Sequence, residues 1–152
     1  MKKLHFETTI KASRQRIWNV LWDDATYRQW TSAFKEGSYA VSDWKEGSRI
    51  KFLSPTGEGM YSQIERLVPW EFMSFRHLGE IRDGKEQPWH KDQDTEGWNG
   101  AHENYTLTEM DGHTKLIVEI NSTDEFVSYL NDVFPKALAK VKEIAESSVA
   151  SN

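Results

Sequence analysis

From Gly37 to Ile120 the chain alternates. SYAVSDW, SRIKFL, MYSQIERLV, EFMSFRHLGEI, HENYTLTEM and HTKLIVEI are short runs of alternating apolar and polar residues, and KEG, PTGEG, Pro69, DGK and DG stand among the breaks between them. A two-residue period puts successive side chains on opposite faces of a strand, and Gly, Pro and Asp-Gly between such runs mark reversals. Six strands joined in this way predict an antiparallel meander with one apolar face. That face must be buried against another element, and this requirement constrains the fold more than any other feature of the chain.

The two ends change period. LHFETTI alternates, with Leu4, Phe6, Thr8 and Ile10 on one face, and predicts a further strand. Ser13 then serves as an N-cap, and Ile17, Trp18, Leu21 and Trp22 follow at helical spacing. A second short helix is expected over Asp24 to Trp30, capped by Asp23 or Asp24. Near the other end, Phe126, Leu130, Val133, Phe134, Ala137, Leu138, Val141, Ile144 and Ala145 recur every three or four residues. Pro135 interrupts this stripe, and a proline inside a helix costs about 3 kcal/mol. The expectation is a helical turn after Thr123, a break near Asp132, and a long helix from there to about Ser148. The order is β-α-α-β-β-β-β-β-β-α, an α+β chain whose curved antiparallel sheet wraps on a long C-terminal helix. At 152 residues, with no repeat, low-complexity tract or linker, a single domain over residues 1–152 is expected.

Several classes of function are disfavoured by what is missing. The chain has no cysteine, so disulfides, thiolate metal sites and cysteine nucleophiles are ruled out. Its formal charge of -5 is spread along the chain without a basic block, so no nucleic-acid partner is expected. MKKLHFETTI lacks the apolar stretch of about 7–15 residues that a signal peptide needs. No run approaches the roughly 20 apolar residues of a membrane span. A soluble, cytoplasmic protein is the expectation.

Five stretches carry a resemblance: IKASRQRIWNVLWD, YRQW, WKEGSRIKF, the G-x-G in PTGEGMYSQIERLVP, and WNGAHENYTLTEMDGHTKLIVEI. In this order and spacing, from about Lys3 to Glu146, they resemble the START/polyketide-cyclase (SRPBCC) superfamily. More narrowly, they resemble the family related to the C-terminal domain of the heat-shock protein 90 ATPase activator. The resemblance implies the helix-grip fold, shared with the birch-pollen allergen, and a cavity between the curved sheet and the long helix. It does not imply one function, because the superfamily hosts lipid carriers, hormone receptors, cyclases and co-chaperone-like domains. It implies no cofactor. The implied partner is a small apolar molecule (lipid, sterol, flavonoid or polyketide-like) or another protein.

Strand parity selects the residues that would face such a cavity. Ile50, Phe52, Met60, Ser62, Ile64, Met73, Phe75 and His77 share the inner face of the middle strands. Glu103, Tyr105, Leu107, Leu116, Val118 and Ile120 share that of the last two. One bulge would invert either set. The ligand-facing candidates are Trp30, Phe34, Phe52, Met60, Met73, Phe75, His77, Trp98, Glu103 and Tyr105, with Phe126, Leu130, Phe134 and Leu138 from the helix stripe. His77 and Glu103 stand out as polar residues among apolar neighbours, able to exchange a proton with a ligand, to orient it, or simply to satisfy one another.

The stretch QPWHKDQDTEGW contributes Asp92, Asp94 and Glu96, with Gly97 and Glu103 at the sixth and twelfth places of a calcium-loop echo counted from Asp92. Its flanks are strand-like rather than helical, and Asn99 stands where an aliphatic residue belongs, so no metal is assigned. No G-x-S-x-G elbow, P-loop or dinucleotide fingerprint occurs, and Ser54, Ser62 and Ser74 read as ordinary strand serines. Seven tryptophans are present. Trp18, Trp22, Trp44 and Trp70 read mostly as core, whereas Trp89 and Trp98 flank the polar stretch as a lid or an anchor. The favoured reading is a non-enzymatic module that binds a small apolar molecule. A chaperone-ATPase-activator-like interaction module and a cyclase- or hydrolase-type enzyme using His77 and Glu103 are the alternatives.

Overall fold

The computed structural model describes residues 2–88 and 100–147. Its elements are β1 (Lys2–Ile10), α1 (Arg14–Trp22), α2 (Asp24–Thr31), β2 (Tyr39–Ser42), β3 (Arg49–Leu53), β4 (Gly59–Val68), β5 (Phe72–Arg82), β6 (Lys85–Pro88), β7 (His102–Met110), β8 (His113–Ser122) and α3 (Asp124–Glu146). This is the expected order with one four-residue strand, β6, added. The sheet runs β1-β8-β7-β5-β4-β3-β2, every pair antiparallel. β6 folds back through the Asp83–Gly84 turn onto the end of β5 that β7 leaves unpaired.

The inner face follows the alternation. Ile50, Ile64, Met73, Phe75, Tyr105, Leu116 and Val118 are all buried. Two irregularities in the β4–β5 ladder, between Tyr61 and Ser62 and between Ile64 and Arg66, bend the strands without inverting that set. Gly59 opens β4 because a Cβ there would lie 1.9 Å from the Phe52 carbonyl oxygen. Gly79 is needed where β6 and Tyr61 close on β5, with the Gln87 carbonyl oxygen 2.4 Å from a Cβ at that position.

α3 corrects one expectation. It is a single helix from Asp124 to Glu146 with Pro135 inside it, not a turn, a break near Asp132 and a second helix. Val133, Phe134, Ala137, Leu138 and Val141 are buried on one stripe, while Pro135 and Asn131 face solvent. The carbonyl that lacks its proline partner therefore lies on the wet side, where water can satisfy it, and the buried stripe holds the helix together. The C-terminal end is tied to the rest of the chain. Arg16 donates to the carbonyls of Ile144 (3.0 Å) and Ala145 (3.3 Å), in the last turn of the helix, where carbonyls run out of backbone partners; Ile144 also accepts from the Ser147 N–H. Lys142 donates to the Thr9 carbonyl at 2.7 Å, and Glu146 accepts from the Lys11 N–H at 2.8 Å.

α1 begins as expected, with Ser13 Oγ accepting from the Arg16 N–H at 3.1 Å. The indole of Trp30 donates to the Leu21 carbonyl at 3.1 Å, joining the start of α2's last turn to the end of α1. Trp70 is the tryptophan that departs from a core role. It is exposed, at φ 66° in the reversal between β4 and β5. Among the described residues, no helix is long and apolar enough to cross a membrane.

Candidate functional site

Between the sheet, α2 and the middle of α3 lies a cavity of about 320 Å³. Trp22 ends α1 and contributes one wall; Tyr27, Trp30 and Thr31 from α2, with Phe34 just beyond it, contribute another. Phe52 and Met60 come from β3 and β4, Glu103 and Tyr105 from β7, Ile120 from β8, and Leu130 and Phe134 from α3. Ser38, Ser54, Glu58 and Gly59 line it toward the turn between β3 and β4. Aromatic edges meet aromatic faces all around this space. Trp22 is the hub, with ring centroids 4.9 Å from Tyr105, 5.4 Å from Phe75 and 5.7 Å from Trp44. Phe134 stacks on Phe6 at 4.9 Å and meets Phe34 edge-on at 5.0 Å. Such interlocked rings make a stiff wall.

One polar line crosses this wall. Ser62 on β4 pairs with His77 on β5, and Glu103 on β7 pairs with the neighbouring inward residue of β5, Phe75. Cross-strand neighbours on one face lie close enough for their side chains to meet. Ser62 Oγ is 2.6 Å from His77 Nδ1, and His77 Nε2 is 3.4 Å from Glu103 Oε1. Tyr105 Oη donates to Glu103 Oε2 at 2.5 Å. With the Ser62 hydroxyl donating to Nδ1, His77 carries its proton on Nε2 and turns it toward Glu103. Burial, and secondarily the Glu103 charge, push the Tyr105 phenol well above its ordinary value; the same two causes raise that of Tyr27. Both phenols are therefore held as neutral hydroxyls.

The sequence-derived candidates divide into groups. Trp30, Phe34, Phe52, Met60, Glu103, Tyr105, Leu130 and Phe134 line the cavity. Met73, Phe75 and Leu138 are buried in the core behind the wall. His77 is also behind it, 2 % exposed, and reaches the cavity through Glu103. Phe126 is not among the described lining of the cavity; it lies on the first turn of α3, at 42 % exposure. Trp98, Trp89, Asp92, Asp94 and Glu96 lie outside the described residues. Glu103, the twelfth place of the calcium-loop echo, faces inward from β7, and among the described residues no three acidic or histidine side chains converge to hold a metal ion.

Trp22, Tyr27 and Glu58 are cavity residues that the sequence reading did not single out. The available signal was the spacing of Trp22, Tyr27 and Trp30 across the junction of two short helices. A larger concavity, about 590 Å³, lies on the opposite face of the sheet. Its polar side chains are matched to one another, Ser74 to Asn104 at 2.6 Å, His102 to Glu65 at 2.5 Å and Lys3 to Glu119 at 3.5 Å. It offers an occupant little that is unsatisfied.

A curved antiparallel sheet gripping one long helix, with an aromatic cavity between them, defines this chain as a helix-grip protein. Solved structures agree. The chain is similar to the Aha1 dimer protein of Colwellia psychrerythraea, at 20% identity and TM-score 0.73, over 97% of this chain and 98% of that one. It is similar to the AHSA1-like protein of Aeromonas hydrophila, at 14% identity and TM-score 0.67, over 98% and 95% of the two chains. It is also similar to CalU16 of Micromonospora echinospora, at 13% identity and TM-score 0.65, over 98% and 79%. Likeness at these identities is likeness of fold. No protein-family model and no curated protein matches the chain.

Proposed function

We propose that this chain binds a small, mostly apolar molecule in the cavity between its sheet and α3. The observation that carries this reading is the cavity itself, about 320 Å³ of space walled by aromatic side chains in an otherwise closely filled interior. Ligand sites of this kind are concave and apolar, with a few polar groups that fix orientation. Each 100 Å² of apolar ligand surface removed from water contributes about 2.5 kcal/mol. Glu103 and Tyr105 supply the orienting groups. Trp22 supports the same reading, because its buried indole N–H has no acceptor among the described residues and an occupant's carbonyl or ether oxygen would complete it.

The test is thermal denaturation against lipids, sterols, flavonoids and polyketide-like aromatics. A ligand at a hundred times its Kd stabilises the folded state by about 2.7 kcal/mol. In a domain of this size that is a rise of about 5–10 °C in Tm. Leu130→Trp, which fills the cavity from α3, should fold and lose the rise. A rise that survives Leu130→Trp places the ligand elsewhere.

A protein-interaction role has one support, the likeness of fold to Aha1. It predicts stimulation of a chaperone ATPase, and no stimulation at saturating concentration would remove it. An enzymatic reading is less well supported. Ser62 is fully buried and forms no part of the cavity wall, so its hydroxyl does not meet an occupant even though it touches His77.

A further inference from the structure

The charges around the cavity are all of one sign. Among the described residues, the wall carries two ionisable carboxylates, Glu103 and Glu58, and no lysine, arginine or histidine. Glu58 is exposed at the mouth, whereas the Glu103 side chain is 16% exposed and faces the interior. One of its oxygens accepts from the Tyr105 hydroxyl and the other lies 3.4 Å from His77 Nε2, an ion pair when the imidazole is protonated and a neutral hydrogen-bond contact otherwise. No lysine or arginine among the described residues stands within ion-pairing distance of it. A largely buried carboxylate with no lysine or arginine beside it is normally costly, and a charge-assisted donor is its most effective partner. The rest of the wall includes the rings of Tyr27, Trp30, Phe34 and Phe52, and an aromatic ring attracts a cation to its face.

We propose that the cavity selects an organic cation, an apolar molecule carrying a protonated amine that donates to Glu103, and discriminates against carboxylic acids. The proposal rests on the reading of the cavity as a ligand site and gives that ligand a charge. An ammonium group seated against Glu103 completes the carboxylate and sits among ring faces, while its apolar body fills the space toward Leu130 and Phe134. A fatty acid offers the reverse, bringing a second carboxylate into a wall with no cation to receive it. The phenols of Tyr27 and Tyr105 are raised first by burial and then by the Glu103 charge, both of which disfavour further negative charge in this wall.

Three probes of one shape and different charge separate the possibilities: 1-naphthylmethylamine, 1-naphthylmethanol and 1-naphthoate, titrated calorimetrically into the full chain at pH 7. The expected order is amine, alcohol, acid, with the amine about tenfold or more tighter than the alcohol, as a charge-assisted hydrogen bond together with cation–π contact would give. In Glu103→Gln the amine's advantage over the alcohol should shrink to within about twofold. Leu130→Trp should abolish binding of all three. Equal binding of the three by the wild type, or an amine preference that persists in Glu103→Gln, overturns the charge assignment and leaves the cavity reading standing. If no probe binds the wild type, both fall. Should Glu103→Gln fail to fold, the wild-type ranking of the three probes still decides the matter.

Discussion

Glu103 and His77 show how much one residue's surroundings decide. His77 is buried and is held from both ring nitrogens, by Ser62 on one side and Glu103 on the other. Removing the ring would strand a buried hydroxyl and take a donor from a carboxylate that has few. An unsatisfied buried polar group costs about 1–3 kcal/mol, and loss of a large buried side chain adds a cavity cost. His77→Ala should therefore lower the unfolding free energy in urea by about 3–5 kcal/mol, summing both costs. Ser62→Ala, which removes only the outer member of the line, should cost about 1 kcal/mol. A His77→Ala protein as stable as the wild type would mean that the polar line is incidental.

Among the elements, α3 holds together for a reason its sequence obscures. Its stripe is continuous from Val133 to Ala145, and the proline within that span points outward. Helix continuity here follows from burial on one side and water on the other, and propensity is overridden. Pro135→Ala restores a backbone N–H for the Asn131 carbonyl without disturbing a buried contact. The gain is below the full interior-proline cost of about 3 kcal/mol, because proline also restricts the unfolded chain. A stabilisation of about 1–2 kcal/mol is expected, or a Tm about 2–8 °C higher by differential scanning calorimetry. A lowered Tm would show that the proline is favourable where it stands. The β3–β4 hairpin gives the converse case: the G-x-G of PTGEG reads as a motif in sequence, and the structure supplies the reasons, a left-handed turn at Gly57 (φ 82°) and the close approach of the Phe52 carbonyl to Gly59.

At the scale of the whole molecule, the buried phenols link folding to pH. Tyr27 and Tyr105 have folded-state values above the ordinary 10.0, raised first by burial and then by Glu103. The unfolded chain releases these protons near pH 10 and the folded one keeps them. The stabilisation they give is therefore fully present below about pH 10 and is lost as pH rises beyond it. Each such phenol contributes about 1.4 kcal/mol per pH unit to the decline. The urea midpoint should hold steady from pH 8 to about 9.5 and then fall, and Tyr27→Phe should make the fall shallower. An equally steep fall in that variant would remove Tyr27 as a cause.

What the sequence determined by itself is the set of local periods: which segments alternate, which recur at helical spacing, and hence the order of elements and the inner face of each strand. Those are set by covalent geometry and by the burial of apolar side chains, both readable one segment at a time. Even Pro135 and the short strand β6 were misjudged or missed because their fate depends on neighbours, a sheet beneath α3 and a free edge on β5. The candidate site was legible in part for the same reason. Phe52, Glu103 and Tyr105 follow from parity, but parity cannot tell a residue that lines a space from one that fills it, as Met73, Phe75 and Leu138 do. Nor can it tell which part of a stripe will be covered, and Phe126 is 42 % exposed. Only the tertiary structure brought Trp22 and Tyr27 to the same wall as Glu103, and left that carboxylate with no lysine or arginine beside it among the described residues. A cavity is a property of the volume between elements, and that volume is fixed by strand register, bulges and the seat of one helix rather than by any single stretch of chain.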